Sequence, residues 1–442
     1  MPHFVLETRM PVSAEELFRY HERPGAFFRL IPPWIKAEIL RQEGGISDGA
    51  VLEFKLYKGP IPVRWRARHC DCRPGRSFVD VQEVGPFRQW RHEHRMVPQD
   101  GETSILRDEI RFTPPLGPIG ALFGTHLIYR DLERTFRLRH FRTFHDLDRH
   151  AAYAAEPMTI VIAGRATRLV RAMAAFLSLG GHHLYHMEPT PDTGVSPYRF
   201  RPFFGEGTRY PLEDTSALIH TGIPYATSES GGDPFAYLDH LAKTLSVSGN
   251  HGVRLIELSG FHPSMDRFVT DPALDFSEFG PVDPEAMEED PLPRLDSVVE
   301  SHVRLHLGSV ITRSMYQLTE LLLRLESFVF LRNGAKTPQF HWISQEDALG
   351  ALLYVLHHPA IEGDVALIAP TSATRAQLQQ LLIEREFAGY TTHRILKVLP
   401  WTGPGMPQGV NARLNSYPTI GDLGFSFLAP NLARALEVEA GE

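Results

Sequence analysis

Hydrophobic and polar residues alternate one by one in several short runs near the start of the chain, with turn-forming Gly, Pro and Asp between the runs. A period of two is typical of strands that have one buried face. Between the first two runs, Ser13 and Glu16 form a capping-box pattern that predicts a short helix. The predicted antiparallel strands are Phe4–Met10, Trp34–Arg41, Ala50–Lys58, Ile61–Asp71, Ser77–Glu83, Phe87–Val97 and Ser104–Thr113.

The spacing of apolar residues then changes to that of a helix, from Ile119 to about His150. A strand meander followed by one long helix predicts an α+β domain over residues 1–150, in which the antiparallel sheet surrounds the C-terminal helix. This is the helix-grip arrangement. The apolar stripe of the helix consists of Leu132, Phe136, Phe141, Phe144 and Leu147.

After Met158 the pattern changes again, to apolar strands that alternate with helices. Thr159–Gly164 is predicted as a strand, Leu169–Leu179 as a helix and His183–Met187 as the next strand. This order is the opening βαβ unit of a Rossmann fold. We therefore predict a second, α/β domain over residues 158–442, with a Rossmann-like parallel sheet.

The composition is that of a folded protein, with 43% hydrophobic and 22% charged residues among 442. No apolar run is long enough to span a bilayer, and the N-terminus has no signal-peptide pattern. Two cysteines, Cys70 and Cys72, cannot form a disulfide framework. We therefore expect a cytoplasmic protein without a membrane span.

Charge is unevenly distributed along the chain. Residues 1–150 carry 24 Lys and Arg against 20 Asp and Glu, whereas the whole chain has a net charge of −8. Neither part contains the concentrated basic stripe of a nucleic-acid-binding protein. We expect no nucleic-acid partner, and the sequence leaves the oligomeric state open.

The period of two also assigns faces to the predicted strands. It turns His92 and His94 inward and the neighbouring Arg91 and Glu93 toward solvent. On the last strand the outward set is Arg107, Glu109 and Arg111. The residues expected to line a cavity between sheet and helix are Trp65, His69, Trp90, His92, His94, Asp108, Phe112 and, from the helix, Phe136.

Asp108 and the inward histidines need partners, because a buried ionisable group without one is costly. They could form a satisfied hydrogen-bond network in the cavity wall, a polar anchor for a ligand head group, or a metal site. Cys70 and Cys72 are too close together for ordinary zinc ligands, and the chain has no His-Glu-x-x-His motif. We therefore expect no metal.

The segment Gly85–Arg95, GPFRQWRHEHR, resembles a strand of small bacterial members of the START-like (SRPBCC) superfamily, which includes polyketide cyclases. The resemblance extends over nearly all of residues 1–148. It implies an apolar cavity between sheet and helix that binds a lipid-like or aromatic small molecule.

Three later segments, Ala217–Pro224, Phe340–Asp347 and Gly424–Leu436, resemble atypical extended short-chain dehydrogenases. These are the sugar-nucleotide epimerase-like proteins that are also labelled cell-division inhibitors. Some members carry a START-like domain at the N-terminus. The resemblance implies a fused two-domain protein and, in an active member, an NAD(P) cofactor.

The cofactor loop of this family needs three glycines, and the corresponding positions here are Gly164, Thr167 and Val170. A branched side chain at the second position blocks the approach of pyrophosphate to the backbone. We therefore expect no cofactor. If NAD(P) binding survives, the residues implied are Gly164, Arg165, Thr167 and Gly222.

The catalytic pattern of the family is also incomplete. Ser259 stands where the family has a strand-end Ser or Thr, but no Tyr-x-x-x-Lys follows in the second domain. The helix that would carry the base is expected to be short, over about Leu292–His302. Ser259 would be catalytic only in an active enzyme.

Three functions compete at this point. The first is binding of an apolar or aromatic molecule in the N-terminal cavity, with a second domain that is a pseudoenzyme. The second is an NAD(P)-dependent epimerase or oxidoreductase with an unorthodox phosphate loop. The third is a scaffold protein whose acidic second domain is a docking surface.

Overall fold

A computed structural model describes residues 2–58, 61–115, 117–153, 156–189, 198–204, 212–221, 236–250, 252–259, 295, 297–311, 339–374, 377–378, 381, 412–439 and 441. The chain divides into two compact units. The first is formed by Met1–Pro157 with Ala174–Gly181 and Ala440–Glu442. The second is formed by Met158–Met173 with His182–Glu439.

Among its described residues, the first unit contains seven strands, three complete helices and the second half of α4 Arg168–Leu179, a helix that it shares with the second unit. The strands are β1 His3–Met10, β2 Lys36–Glu43, β3 Val51–Lys58, β4 Ile61–Arg73, β5 Ser77–Val84, β6 Gln89–Pro98 and β7 Ser104–Thr113. The helices are α1 Ala14–Glu22, α2 Ala26–Leu30 and α3 Gly117–Ala151.

The seven strands form one antiparallel sheet in the order β1-β7-β6-β5-β4-β3-β2. Strands β2 to β7 each pair with the next strand in sequence, whereas β1, the first strand, pairs with β7, the last. Helix α3 packs on β1 and β7. This is a helix-grip-like arrangement, an antiparallel sheet with one long helix.

Helix α1 begins as the sequence indicates, because the Ser13 side chain accepts a hydrogen bond from the backbone N–H of Glu16 at 3.3 Å. Glu16 itself pairs with Arg19 and Arg23. The helix buries Leu17, among other residues, in a core that includes side chains of β6 and β7.

The second unit is built on a seven-stranded sheet in the order β10-β9-β8-β11-β12-β13-β17. The α-helices among its described residues are α4 Arg168–Leu179 (divided between the two units), α5 Ala236–Ser248, α6 Gln345–Leu356 and α7 Leu432–Val438. The strands, including two small pairs, are β8 Thr159–Ala163, β9 His183–Pro189, β10 Tyr198–Pro202, β11 Thr215–His220, β12 Arg254–Ser259, β13 Ser301–Leu307, β14 Ser309–Ile311, β15 Gln339–Phe340, β16 Trp342–Ser344, β17 Gly363–Leu367 and β18 Ala373–Thr374.

The second sheet is mixed rather than wholly parallel, because β10 pairs antiparallel with β9 at one edge. The other pairings in it are parallel. The prediction of a helix over about Leu292–His302 is wrong at its C-terminal end, since β13 already begins at Ser301. His302 pairs there with Leu255 of β12, so parallel sheet pairing overrides the local helical pattern.

No helix in the described part of the chain is both long enough and apolar enough to span a membrane.

Candidate functional site

The inner face of the first sheet carries a row of polar residues on neighbouring strands. The register places Asp80 of β5 between His69 of β4 and His92 of β6. Two residues further along β6, on the same face of the sheet, His94 lies opposite Asp108 of β7. The side chains of His92, His94 and Asp108 are all buried, as the alternation along the strands predicts.

Asp108 is the centre of this polar cluster, and three histidines contact its carboxylate. His92 Nε2 lies 3.0 Å from Oδ1, and His94 Nδ1 lies 2.6 Å from the same oxygen. His140 Nε2 lies 2.7 Å from Oδ2. Burial opposes ionisation of Asp108, but the histidines outweigh it and hold the pKa of the carboxyl well below its usual range.

His92 lies between two carboxylates. Its Nδ1 is 3.0 Å from Asp80 Oδ2, while its Nε2 faces Asp108. Burial disfavours the imidazolium, but Asp80 and Asp108 outweigh this effect and raise the pKa of His92 to about 9. The same contacts lower the pKa of Asp80.

Two members of the cluster were missed at the level of the sequence, Asp80 and His140. Asp80 shares the inner face of β5 with Phe78, so the period of two along Ser77–Val84 could have indicated it. His140 follows Phe136 by four residues and therefore shares its helix face. His140 Nδ1 also lies 2.8 Å from the Thr8 hydroxyl, which fixes the ring between β1 and β7.

Aromatic rings surround the polar cluster on one side. The ring centroids of Trp65 and Trp90 lie 5.2 Å apart, with the rings edge to face. The ring centroids of Trp90 and Phe112 lie 6.2 Å apart. Phe136 of α3 contacts the His92 ring at 5.1 Å. The structure thus brings the expected cavity residues to one face of the sheet. Among them, Trp65, Trp90, Phe112 and Phe136 pack in one hydrophobic cluster. That they bind a ligand stays a prediction.

Three ring nitrogens of this site are unsatisfied. Within the described part of the chain, Trp90 Nε1, His69 Nδ1 and His94 Nδ1 are buried and have no hydrogen-bond partner. His94 Nδ1 is close to Asp108 Oδ1, but the geometry of that contact is not that of a hydrogen bond. Trp90 is 8% exposed and His69 is 7% exposed. Most buried polar groups are hydrogen-bonded, so such atoms need an explanation.

Glu109 of β7 is buried although it lies on the outer face of the sheet. It lies on the outer face as predicted, but it is only 5% exposed, because Arg107, Arg111 and His3 surround it. Burial opposes its ionisation, but hydrogen bonds from Arg111 and Arg107 outweigh this and lower the pKa of Glu109 to about 2. Strand alternation gives the face of a residue but not the cover that long neighbours provide.

A pocket of about 300 Å³ lies beside the cluster, between β1 and α3. His140 separates it from Asp108. None of the expected cavity residues lines this pocket, which is formed by Leu6, Thr8, Arg137, His140, Phe141, Phe144, His145 and Gly441.

In the second unit, the loop between β8 and α4 and the first turn of α4 carry the three positions at which a dinucleotide-binding loop would need glycine. Gly164 has a φ of 100°, which favours glycine. The Thr167 hydroxyl, however, accepts a hydrogen bond from the backbone N–H of Val170 at 3.2 Å. Val170 is fully buried. One of the N–H groups at the start of the helix is therefore satisfied by the chain itself.

Of the other candidate residues of this unit, Arg165 follows β8 and Ser259 ends β12, and a further residue, His186, contacts the same loop. His186 of β9 donates from Nε2 to the Gly164 carbonyl at 2.9 Å. Ser259 is the last residue of β12, where it pairs with His306 of β13. Arg165 is half-buried in the loop. Gly222 lies outside the described residues.

The segment Phe340–Asp347 has a clear structural role. Ser344 caps α6 by accepting from the Asp347 backbone N–H at 3.0 Å. The fully buried Asp347 carboxylate accepts from the backbone N–H groups of Leu428 at 2.8 Å and Ala429 at 2.9 Å. The carboxylate therefore fastens the C-terminal segment to α6.

A larger pocket, of about 610 Å³, lies in the second unit. Its lining includes His341, whose Nε2 has no hydrogen-bond partner among the residues that the structure describes. The remaining lining residues are Ile368, Ala369, Pro370, Ser372, Asn415, Thr419, Gly421, Asp422, Phe425 and Phe427.

Comparison with known families agrees with the fold of the first unit. Residues 10–134 match the family described as polyketide cyclase / dehydrase and lipid transport. The N-terminal region contains a polyketide cyclase/dehydrase (SRPBCC-like) domain. This domain includes β4 to β7 and therefore the whole row from His69 to Asp108. No curated protein matches the chain.

Among solved structures, the chain is similar to the nucleoside-diphosphate sugar epimerase from Corynebacterium glutamicum, with 19% identity and a TM-score of 0.64. The match covers 99% of this chain and 90% of that chain. At this identity the likeness shows the fold alone. The Zhui aromatase/cyclase from Streptomyces sp. R1128 matches with 17% identity, 34% of this chain, 95% of that chain and a TM-score of 0.28.

Proposed function

We propose that the SRPBCC-like domain binds an apolar or aromatic small molecule, and that the cluster around Asp108 holds a polar group of that molecule. The observation that carries the proposal is a buried cluster of ionisable groups that has aromatic rings packed on one side of it. Burying charges costs several kcal/mol per ion even when they are paired. Such a cluster has a reason to persist if it recognises a ligand group.

The unpartnered Trp90 Nε1 supports the same proposal. An indole N–H can only donate, so its natural partner is an oxygen acceptor on the ligand. The family description of residues 10–134 names polyketide cyclase, dehydrase and lipid transport. We take from it the ligand class, a lipid-like or aromatic molecule, and no reaction.

We further infer that the second unit is a Rossmann-like domain of the epimerase-like family, fused to the first, and that it has lost NAD(P) chemistry. The capping of α4 by Thr167 supports this, because a pyrophosphate would need free N–H groups there. In the alternative, an NAD(P)-dependent epimerase or oxidoreductase, Gly164, Arg165 and Ser259 would form the site.

The ligand proposal is tested by native mass spectrometry of the purified full chain and by analysis of its organic extract. We expect one apolar or aromatic molecule per chain. Trp90→Phe keeps an aromatic ring but removes the N–H donor, so it should reduce ligand retention about tenfold while the circular dichroism spectrum stays unchanged. Trp34→Phe, at a ring that packs under Arg134, is the matched control and should retain the ligand.

An extract without any such molecule, together with no saturable binding of the aromatic probe 1-anilinonaphthalene-8-sulfonate, would overturn the ligand proposal.

A further inference from the structure

Three side chains of the polar cluster bring their metal-binding atoms together. Asp80 Oδ2 lies 3.0 Å from His92 Nδ1 and 3.6 Å from His94 Nε2. All three ligand atoms lie within 4.8 Å of one another. Around a tetrahedral zinc ion with bonds of about 2.0–2.2 Å, ligand atoms are separated by roughly 3.3 Å. The distances from Asp80 Oδ2 to the two histidine nitrogens, 3.0 Å and 3.6 Å, lie just below and just above this value.

The other nitrogens of the two rings have one shared partner. His92 turns Nε2, and His94 turns Nδ1, toward the same oxygen of Asp108, at 3.0 Å and 2.6 Å. A histidine that binds a metal usually directs its second ring nitrogen to a carboxylate or a carbonyl, which fixes its tautomer. Both rings therefore have one nitrogen near Asp80 and the other near Asp108 Oδ1, to which His92 Nε2 is hydrogen-bonded and His94 Nδ1 is in ion-pair contact.

The charges balance as well. A divalent cation with Asp80 and Asp108 ionised and both histidines neutral makes an uncharged site, which removes the main cost of burying the separate ions. The supporting carboxylate is itself held, since its second oxygen lies 2.7 Å from His140 Nε2.

We propose that Asp80, His92 and His94 bind a divalent transition-metal ion, with Asp108 as the residue that positions both histidines. Two histidines and one carboxylate suit zinc, and also iron(II) and cobalt(II). Three protein ligands leave at least one coordination position for water or a small molecule. This proposal goes beyond the ligand proposal and does not depend on it.

From the sequence no metal was expected, because nothing fixed the geometry of the histidines with Asp108, and Asp80 was not among the selected residues. The row His69–Asp80–His92 forms only through the pairing of β5 with β4 and β6.

The test is isothermal titration of the chelator-treated full chain with Zn²⁺ and with Co²⁺, without any added organic ligand. We expect one ion per chain. Asp80→Asn and His94→Gln should each weaken binding at least 100-fold. Glu93→Gln should bind normally, because Glu93 stands between the two histidines but faces the other side of the sheet, where Arg91 and Arg95 pair with it.

The Co²⁺ absorption spectrum is a second measurement that needs no variant of the cluster. Ligation by histidine and carboxylate gives visible bands without thiolate charge transfer, and the double variant Cys70→Ser, Cys72→Ser should give the same spectrum. The proposal is overturned if the folded wild-type chain binds neither ion, if a thiolate signature appears, or if folded Asp80→Asn binds as tightly as wild type. A chain that binds no metal yet carries an apolar molecule would leave the ligand proposal standing.

Discussion

Asp108 shows how a single buried carboxylate organises its surroundings. Its two oxygens contact three imidazole rings, from β6 and from α3. Hydrophobic residues at these positions would fill the same space without burying any charge. The cluster therefore makes this part of the core sensitive to the loss of one charge, because removing one partner leaves the others buried without compensation.

We expect Asp108→Asn to lower the free energy of unfolding by about 3–5 kcal/mol. The shape is retained, but His92 and His140 lose a charged acceptor. Urea denaturation followed by circular dichroism measures the change. Asp71→Asn is the control, since Asp71 is exposed and paired with Arg91 at the surface, where such pairs contribute roughly 0–1 kcal/mol. Equal stability of the two variants would contradict this account of Asp108.

Glu109 makes stability depend on acid pH. Its pKa is about 2 in the folded chain against an ordinary value of 4.5. As the pH falls below about 4.5, the unfolded chain takes up a proton first, so the stabilisation by Glu109 is present above that pH and is lost as the pH falls toward 2. Glu109→Gln should therefore be less stable than wild type at pH 7, with a smaller difference at pH 3.

Urea midpoints at the two pH values measure this dependence. Glu7→Gln, which removes an exposed partner of the same Arg107, should change little at either pH. A Glu109→Gln difference that is the same at both pH values would show that the carboxylate is not the cause.

At the scale of elements, the strands of the first unit are set by local pattern. On β6, buried and more exposed residues alternate from Trp90 to Met96, as a period of two requires. The exceptions come from neighbours. Glu109 of β7 faces outward but is covered, and β13 forms where the sequence indicated a helix end, because a parallel neighbour pairs with it.

The connection between α6 and the C-terminal segment gives a prediction at this scale. Asp347→Asn replaces a two-oxygen acceptor by an amide, whose NH₂ group cannot accept from a backbone N–H. We expect a loss of about 2 kcal/mol in that segment. Hydrogen exchange with mass spectrometry should show faster exchange of the amides of Leu428 and Ala429 only.

Asp239→Asn, on the exposed side of α5, is the control for this experiment and should leave the same amides protected. Unchanged exchange in Asp347→Asn would mean that other contacts hold the segment.

At the scale of the whole molecule, the question is whether the second unit retains a cofactor. We expect titration calorimetry of the full chain with NADPH and with NADH to show no saturable binding, because the Thr167 hydroxyl caps α4 and already occupies the backbone N–H of Val170. A functional NADPH-dependent dehydrogenase measured in the same buffer is the control. A dissociation constant in the low micromolar range, about −8 kcal/mol, would favour the epimerase or oxidoreductase alternative.

The sequence alone determined the strands of the first unit, the long helix, and the inward direction of His92, His94 and Asp108. These features follow from local periodicity, which backbone geometry imposes on every strand and helix. The sequence also indicated the incomplete glycine pattern at Gly164, Thr167 and Val170, because that pattern lies within one short loop.

Only the tertiary structure decided which residues meet. His140 contacts Asp108 across 32 residues of chain, and Asp80 reaches His92 through the pairing of separate strands. Periodicity gives the face on which a side chain lies, but not its partners. Partners depend on strand order, register and the docking of α3, and these are set by contacts between residues that are distant in sequence. The cluster that carries both proposals could therefore be assembled only from the fold.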